Sequence, residues 1–341
     1  MDCYVVDGSG PACLRMVQRP PLPAPGPAEV LVDVHAVSLN HRDLMVADGR
    51  YGGPQNPPII ACSDMAGTVA EVGPGVRTFK AGDRVLNAPF RCWPAGTLRR
   101  DWSRTFVGGQ GVDGVLAQQI VFPADALVPM PVHMTFEQGA TLTVAGLTAW
   151  AAVVTHGRVQ PGEWVLAHGT GGVGVFAAQL ARLFHARVIF STSNPEKGRL
   201  ARERFGVEET VDYRDAQWPK QVRKITGGRG VDIVVETAGG QQLAGSIESC
   251  NYGARVGLIG VLGGAVCNFS AFSLLMHQVA IRGIYMESTQ ELHALALALE
   301  AGKVEPCVDR VFRFEDAQAA FDYLHSGRHL GKVVIQVRKS K

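Results

Sequence analysis

A glycine-rich turn between a short apolar strand and a helical pattern constrains this chain more than any other feature in it. Trp164-Val165-Leu166-Ala167 leads into Gly169-Thr170-Gly171-Gly172-Val173-Gly174, after which Val175, Phe176, Ala178, Leu180, Ala181, Leu183 and Phe184 recur at helical spacing. A second apolar run at 187–190 follows directly and completes a strand-turn-helix-strand unit, which requires parallel strands joined by a crossover helix. Each glycine has its own task. Gly169 permits the tight turn, Gly171 lets backbone approach an anion, and Gly174 lets the helix lie close on the strand. Thr170, Gly172 and Val173 belong to the same cradle, because amide N–H groups at a helix start face the pyrophosphate of a dinucleotide. Such turns also serve ordinary strand-to-helix connections; the complete unit around this one favours the nucleotide.

The tip of the second strand then bears on which dinucleotide. Sites that take NAD usually hold a carboxylate about 20 residues beyond the glycines, on the ribose 2′-hydroxyl. Here the tip reads Ser191-Thr192-Ser193-Asn194, with Lys197 one turn on. Hydroxyls and an ammonium in place of the acid suit a 2′-phosphate, so Thr192, Ser193 and Lys197 point to NADPH. The alternative is that Lys197 is a solvated charge and the hydroxyls cap the next helix.

A chain of 341 residues that is 46% hydrophobic is long and apolar enough for about two domains. Residues 1–125 are rich in proline, glycine and strand-type alternation, with Val30, Val32, Val34 and Ala36 on one face and further strands at 3–6, 67–72 and 116–122. From 126 to 290 strands and helices alternate, with more strands at 231–235, 255–260 and 279–284. Helices around 291–301 and 315–325 and a last strand at 332–337 are assigned back to the first domain, giving 1–125 with 291–341 and 126–290. A net charge of +2 without a basic cluster argues against nucleic acid. The tail Arg338-Lys339-Lys341 reads as a solvated terminus. No apolar stretch is long enough for a membrane helix, and the seven cysteines form no C-x-x-C pair, so a cytoplasmic protein is expected.

Segment 67–72, with Gly73-Pro74-Gly75-Val76 and Lys80-Ala81-Gly82-Asp83-Arg84-Val85 after it and Ala145-Gly146-Leu147-Thr148-Ala149-Trp150 ahead of the nucleotide turn, resembles the medium-chain dehydrogenase/reductase family over essentially the full chain. The resemblance implies an α/β protein with a GroES-like, mostly antiparallel β catalytic domain and a doubly wound Rossmann domain, the active site lying in the cleft between them. It also implies a homodimer through the edge strand near 279–284. Cofactor contacts carried over by matching are Thr148, Tyr213 beside the adenosine phosphate, Gly239 within 237–240, and Gly260-Val261. Lys332, which opens the last strand, reads either as a contact to phosphate or ribose or as a solvated strand end, and His168 as a turn residue.

Zinc-dependent members of that family use a cysteine, a Gly-His-Glu segment and a further cysteine or acid. The matching places here hold Asn40, Cys62-Ser63-Asp64 and Val144, and neither a serine nor a valine side chain suits a tetrahedral zinc ion. No metal is therefore expected. Asn40-His41-Arg42-Asp43 and Gly49-Arg50-Tyr51 resemble zinc-free quinone oxidoreductases, in which the asparagine and tyrosine lie near the nicotinamide. On that resemblance Asn40 offers an amide N–H to a carbonyl oxygen and Tyr51 a hydroxyl for donation or proton relay, with Asp43 tying down its own turn. The reaction implied is hydride transfer from NADPH to a quinone or an α,β-unsaturated carbonyl compound. A closer resemblance, through Leu39-Asn40-His41-Arg42-Asp43-Leu44, is to members named alcohol dehydrogenases. Two further readings stay open, a zinc-type alcohol dehydrogenase and a catalytically quiet NADPH-binding protein. Segment 90–109, with Trp93, Trp102 and several arginines, stands where a zinc lobe would be and is read as a cover for the cleft.

Overall fold

Valine-rich alternation dictates the first part of the molecule. In the strand Glu29–Leu39, Val30, Val32, Val34 and Ala36 are fully buried while the residues between them are half-buried. Each buried valine contributes on the order of 1.5–3 kcal/mol of hydrophobic stabilisation. Beyond a register irregularity between Val34 and Ala36 the alternation stops, and Ala36 to Leu39 are buried on both faces as the chain runs into Asn40. Irregularities of this kind re-aim a strand next to functional sites.

A computed structural model describes residues 1–10 and 13–338. It divides into two compact units, Met1–Ala145 together with the chain from Glu287 onward, and Gly146–Met286. The first unit holds a seven-stranded sheet in the order Val308–Arg313, Lys332–Gln336, Glu29–Leu39, Asp64–Val72, Arg84–Asn87, Leu127–Pro129, with Gln119–Pro123 also paired to Glu29–Leu39. Its pairs are antiparallel apart from Val308–Arg313 with Lys332–Gln336. A smaller sheet joins Arg15–Gln18, Asp2–Val6 and Ile59–Ile60. The boundary lies at Ala145 and not at 125, because Leu127–Pro129 hydrogen-bonds to Arg84–Asn87 and ties the following residues to this unit. Arg338, expected to be solvated, pairs with Asp33 at 3.0 Å; Lys339 and Lys341 lie outside the described residues.

The second unit is a six-stranded parallel sheet in the order Glu209–Val211, Arg187–Ser191, Trp164–His168, Val231–Glu236, Cys250–Leu258, Ala280–Gly283. Its central strands are buried along their whole length, as sheets with both faces covered require. Leu166, Ile189, Trp218, Val234, Ile247 and Val256 share one core. The strand order reverses between Trp164–His168 and Val231–Glu236. Ligands of doubly wound sheets bind at that switch, beyond the carboxyl ends of the strands. The glycine turn and the loop 237–240 stand there. Among the described residues no helix is long and apolar enough to cross a membrane.

Candidate functional sites

The glycine turn adopts the geometry that its spacing predicts. Gly169 sits at φ +76° and its N–H donates to Ser191 O at 3.0 Å. A Cβ on Gly174 would lie 2.0 Å from Gly169 O, so this position takes no larger residue without moving the turn. Gly171 is the extended cap of the helix Gly172–Leu183, and no side chain caps that helix. The donors at its start are therefore available to an anion. Thr148 and Thr170 are buried. Gly239 (φ +65°) and Gly260 have a packing task that the matching did not reveal: a Cβ on Gly260 would meet Thr237 O at 2.0 Å, and one on Gly239 would meet Gly260 O at 2.8 Å. The two loops thus approach backbone to backbone, and Val261 beside them is exposed.

At the tip of Arg187–Ser191 the helix Pro195–Phe205 is capped by Asn194, whose Oδ1 accepts from Glu196 N at 3.0 Å and Lys197 N at 3.1 Å. This corrects the alternative in which the serine and threonine hydroxyls cap that helix. Ser193 Oγ instead accepts from Tyr213 Oη at 3.0 Å, and Arg214 Nη2 donates to Ser193 O at 2.9 Å. Thr192 Oγ1 accepts from Asn194 N at 3.2 Å. Arg214 was not among the expected site residues. It also grips Asp212, holding that carboxyl below its ordinary range through their hydrogen bond, so the one acid near the tip is neutralised. Lys197 is half-buried on the first turn of the same helix.

His168, expected in a turn, ends the buried strand Trp164–His168. Its Nδ1 is 2.6 Å from Ser191 Oγ and its Nε2 is 2.8 Å from Ser246 Oγ, and Ser246 Oγ donates to Glu236 Oε2 at 2.5 Å. Burial pushes the imidazole below its usual pKa, which favours the neutral ring. Since a carboxylate only accepts, the chain assigns the proton to Nε2, with Nδ1 accepting from Ser191. Glu236 Oε1 accepts from Ala238 N at 2.8 Å and Gly239 N at 3.0 Å. The network therefore fixes the loop after Val231–Glu236 to two neighbouring strand ends.

The first unit gathers a buried polar cluster around the start of the helix His41–Ala47. Asn40 N donates to Asp43 Oδ2 at 2.7 Å, and Arg42 Nη1 donates to Asp43 Oδ1 at 3.1 Å. Arg42 also donates to Val107 O and Gly108 O, at 3.2 and 2.7 Å, and stacks over Phe106 with Tyr51 beside it. Asp43 thus does tie down its own turn. Tyr51 is half-buried against the Arg42–Phe106 pair. Lys332 is neither a solvated strand end nor a free arm: it is only 3% exposed, and Nζ donates to Leu39 O and Asn40 Oδ1, both at 2.6 Å. Ser63 Oγ donates to Asp64 Oδ1 at 2.6 Å, and Asp64 Oδ2 accepts from Val144 N at 3.2 Å. Burial lifts the Asp64 carboxyl to about 6 against the pull of Lys332, and it lowers the Lys332 ammonium below the ordinary lysine range. The Cys62 thiol is pushed well up by burial and by Asp43. In segment 90–109, Phe90, Trp93 and Phe106 are buried, and Trp93 Nε1 donates to Gly96 O at 2.9 Å, so part of this segment is packed core.

Residues 26–132 match the family model described as an alcohol dehydrogenase GroES-like domain, and 172–301 the one described as a zinc-binding dehydrogenase. A zinc-type alcohol dehydrogenase-like protein of Schizosaccharomyces pombe is 35% identical over 91% of this chain and 91% of its own. Quinone oxidoreductase of Rattus norvegicus is 28% identical over 97% and 96%. Among solved structures, an NAD-dependent alcohol dehydrogenase superposes with a TM-score of 0.88 at 34% identity, covering 99% of this chain and 100% of its own. A mycobacterial protein complexed with NADPH does so with 0.81 at 27%, covering 99% and 100%. The residues do not fit the zinc that one model's description carries. Ser63 spends its hydroxyl on Asp64, Val144 offers only its amide, and the ammonium of Lys332 already holds Asn40. A second cation there would meet direct repulsion.

Proposed function

The chain belongs to the medium-chain dehydrogenase/reductase family, whose members bind a nicotinamide cofactor, and on that premise we propose that this oxidoreductase passes hydride from NADPH to a quinone or an α,β-unsaturated carbonyl compound without zinc. The observation that carries this reading is the Asn40 amide, buried and held by a lysine where zinc-dependent relatives place metal ligands. When bound, NADPH supplies the hydride. Gly169, Thr170, Gly171, Gly172, Val173 and Gly174 hold the pyrophosphate on the helix start, with Thr148, Gly239, Gly260 and Val261 bordering the cofactor. Thr192, Ser193, Lys197 and Tyr213 receive the 2′-phosphate, and Arg214 adds a second cation. Asn40 Nδ2 donates to the acceptor oxygen as negative charge develops there, and the Tyr51 hydroxyl delivers or relays the proton. An acceptor already electron-poor needs no stronger Lewis acid, whereas oxidation of a simple alcohol would.

The open edge strand Ala280–Gly283, with Leu262, Val266, Phe272 and Leu275 exposed nearby, supports a homodimer, which sedimentation velocity tests. Seven free cysteines support a cytoplasmic location. A screen of NADPH oxidation against quinones, enones and alkenals tests the function. Turnover of one of these classes is expected; silence toward all of them, with zinc-dependent oxidation of simple alcohols, would replace it with the alcohol dehydrogenase reading.

A further inference from the structure

We propose that Lys332 is a positioning residue that fixes the Asn40 side-chain amide, so that Nδ2 presents a polarised N–H to the acceptor oxygen. The inference rests on the function proposed above and deepens it. An ammonium only donates, so the Asn40 atom 2.6 Å from Lys332 Nζ is the amide oxygen, and the orientation of the amide follows from chemistry alone. Nδ2 is then the remaining donor. Asn40 is 8% exposed, and its Nδ2 makes no hydrogen bond of ordinary geometry, although the side chain lies close enough to Asp64 to pull that carboxyl down. A buried donor left unmet costs about 1–3 kcal/mol, and its retention points to a ligand that completes it.

The rest of the cluster serves the same end. Asn40 is fixed at its backbone by Asp43, which Arg42 holds in turn, and at its side chain by Lys332, which the carbonyl of Leu39 also holds. A cationic donor on the amide oxygen draws electron density from the nitrogen and strengthens its N–H as a donor. Asp64 and Asp43 both act on Lys332 electrostatically and offset the burial of its charge. Lys332 thereby brings a positive charge to the region where zinc-dependent relatives keep a metal, and transmits it through one neutral amide.

The test is binding of 4-nitrophenol to the full chain with NADP⁺ present, read from phenolate absorbance at pH values on both sides of the free phenol's own titration. The phenolate stands in for an acceptor oxygen bearing charge, and the neutral phenol for one without it. Wild type should favour the phenolate, and Lys332→Met and Asn40→Ala should each lose that preference by roughly tenfold to a hundredfold, with Lys332→Arg restoring part of it. Single-turnover hydride transfer should fall in parallel while NADPH affinity stays. If Asn40→Ala loses the preference and Lys332→Met keeps it, the role of Lys332 is overturned and the Asn40 site stands. If Asn40→Ala binds the phenolate as wild type does, or wild type shows no preference, the acceptor site itself is misplaced and the inference falls with it. Should Lys332→Met fail to fold, Lys332→Met with Asp64→Asn removes the opposite charges together and carries the same comparison.

Discussion

Lys197 and Tyr51 carry the most direct single-residue expectations. Lys197→Ala should weaken NADPH by roughly tenfold to a hundredfold and leave NADH nearly unchanged, as loss of a charge-assisted phosphate contact does; equal losses in titrations of both cofactors would show another role. Tyr51→Phe should slow single-turnover hydride transfer by about tenfold to a hundredfold with cofactor affinity intact, the low end of general acid catalysis, and a wild-type rate would assign the proton to water. Asp64 gives a pH signature. Its carboxyl near 6 lies above the roughly 3.9 of an unfolded aspartate, so the folded state binds this proton more tightly. The resulting stability is present below about pH 4 and is lost as pH rises through about 6, by up to about 3 kcal/mol. Asp64→Asn should flatten that decline in denaturant midpoints, and an unchanged slope would contradict the assignment. Asn40 and Asp43 were legible in the sequence because their spacing around a helix start is local. Lys332 and Arg42 were not, since a lysine before Val333-Val334-Ile335 reads as a strand end until its partner, 292 positions away, is known.

Among the elements, the strand-turn-helix unit was legible because every constraint on it is short-range: the apolar run, the glycines and the helical period lie within one stretch. Gly174→Ala should therefore be costly in a foreseeable way. Its Cβ would meet Gly169 O at 2.0 Å, so about 1–3 kcal/mol of stability should go, and NADPH affinity with it. Calorimetric titration with wild-type affinity would mean that the turn relaxes freely. Long-range pairing set what the pattern left open. Leu127–Pro129 joins the first sheet through Arg84–Asn87, and Val308–Arg313 pairs beside Lys332–Gln336; no local periodicity announces either. The buried chain from His168 through Ser246 to Glu236 was invisible for the same reason, since its members lie on separate strands and a helix.

For the whole molecule, two units divide the labour: the doubly wound sheet holds a nicotinamide cofactor, and the mostly antiparallel unit offers a buried amide and a buried ammonium in place of a metal centre. Family membership alone leaves that division undecided, because the relatives include both a zinc-type alcohol dehydrogenase-like protein and a quinone oxidoreductase. The difference turns on whether a neutral donor backed by a lysine is sufficient for the acceptor. Oxidation of NADPH by a quinone and by an enone, followed in protein treated with a strong chelator and then with added zinc, measures this directly. Full activity after chelation and no gain on zinc addition is the predicted result; activity abolished by the chelator and restored by zinc would contradict it.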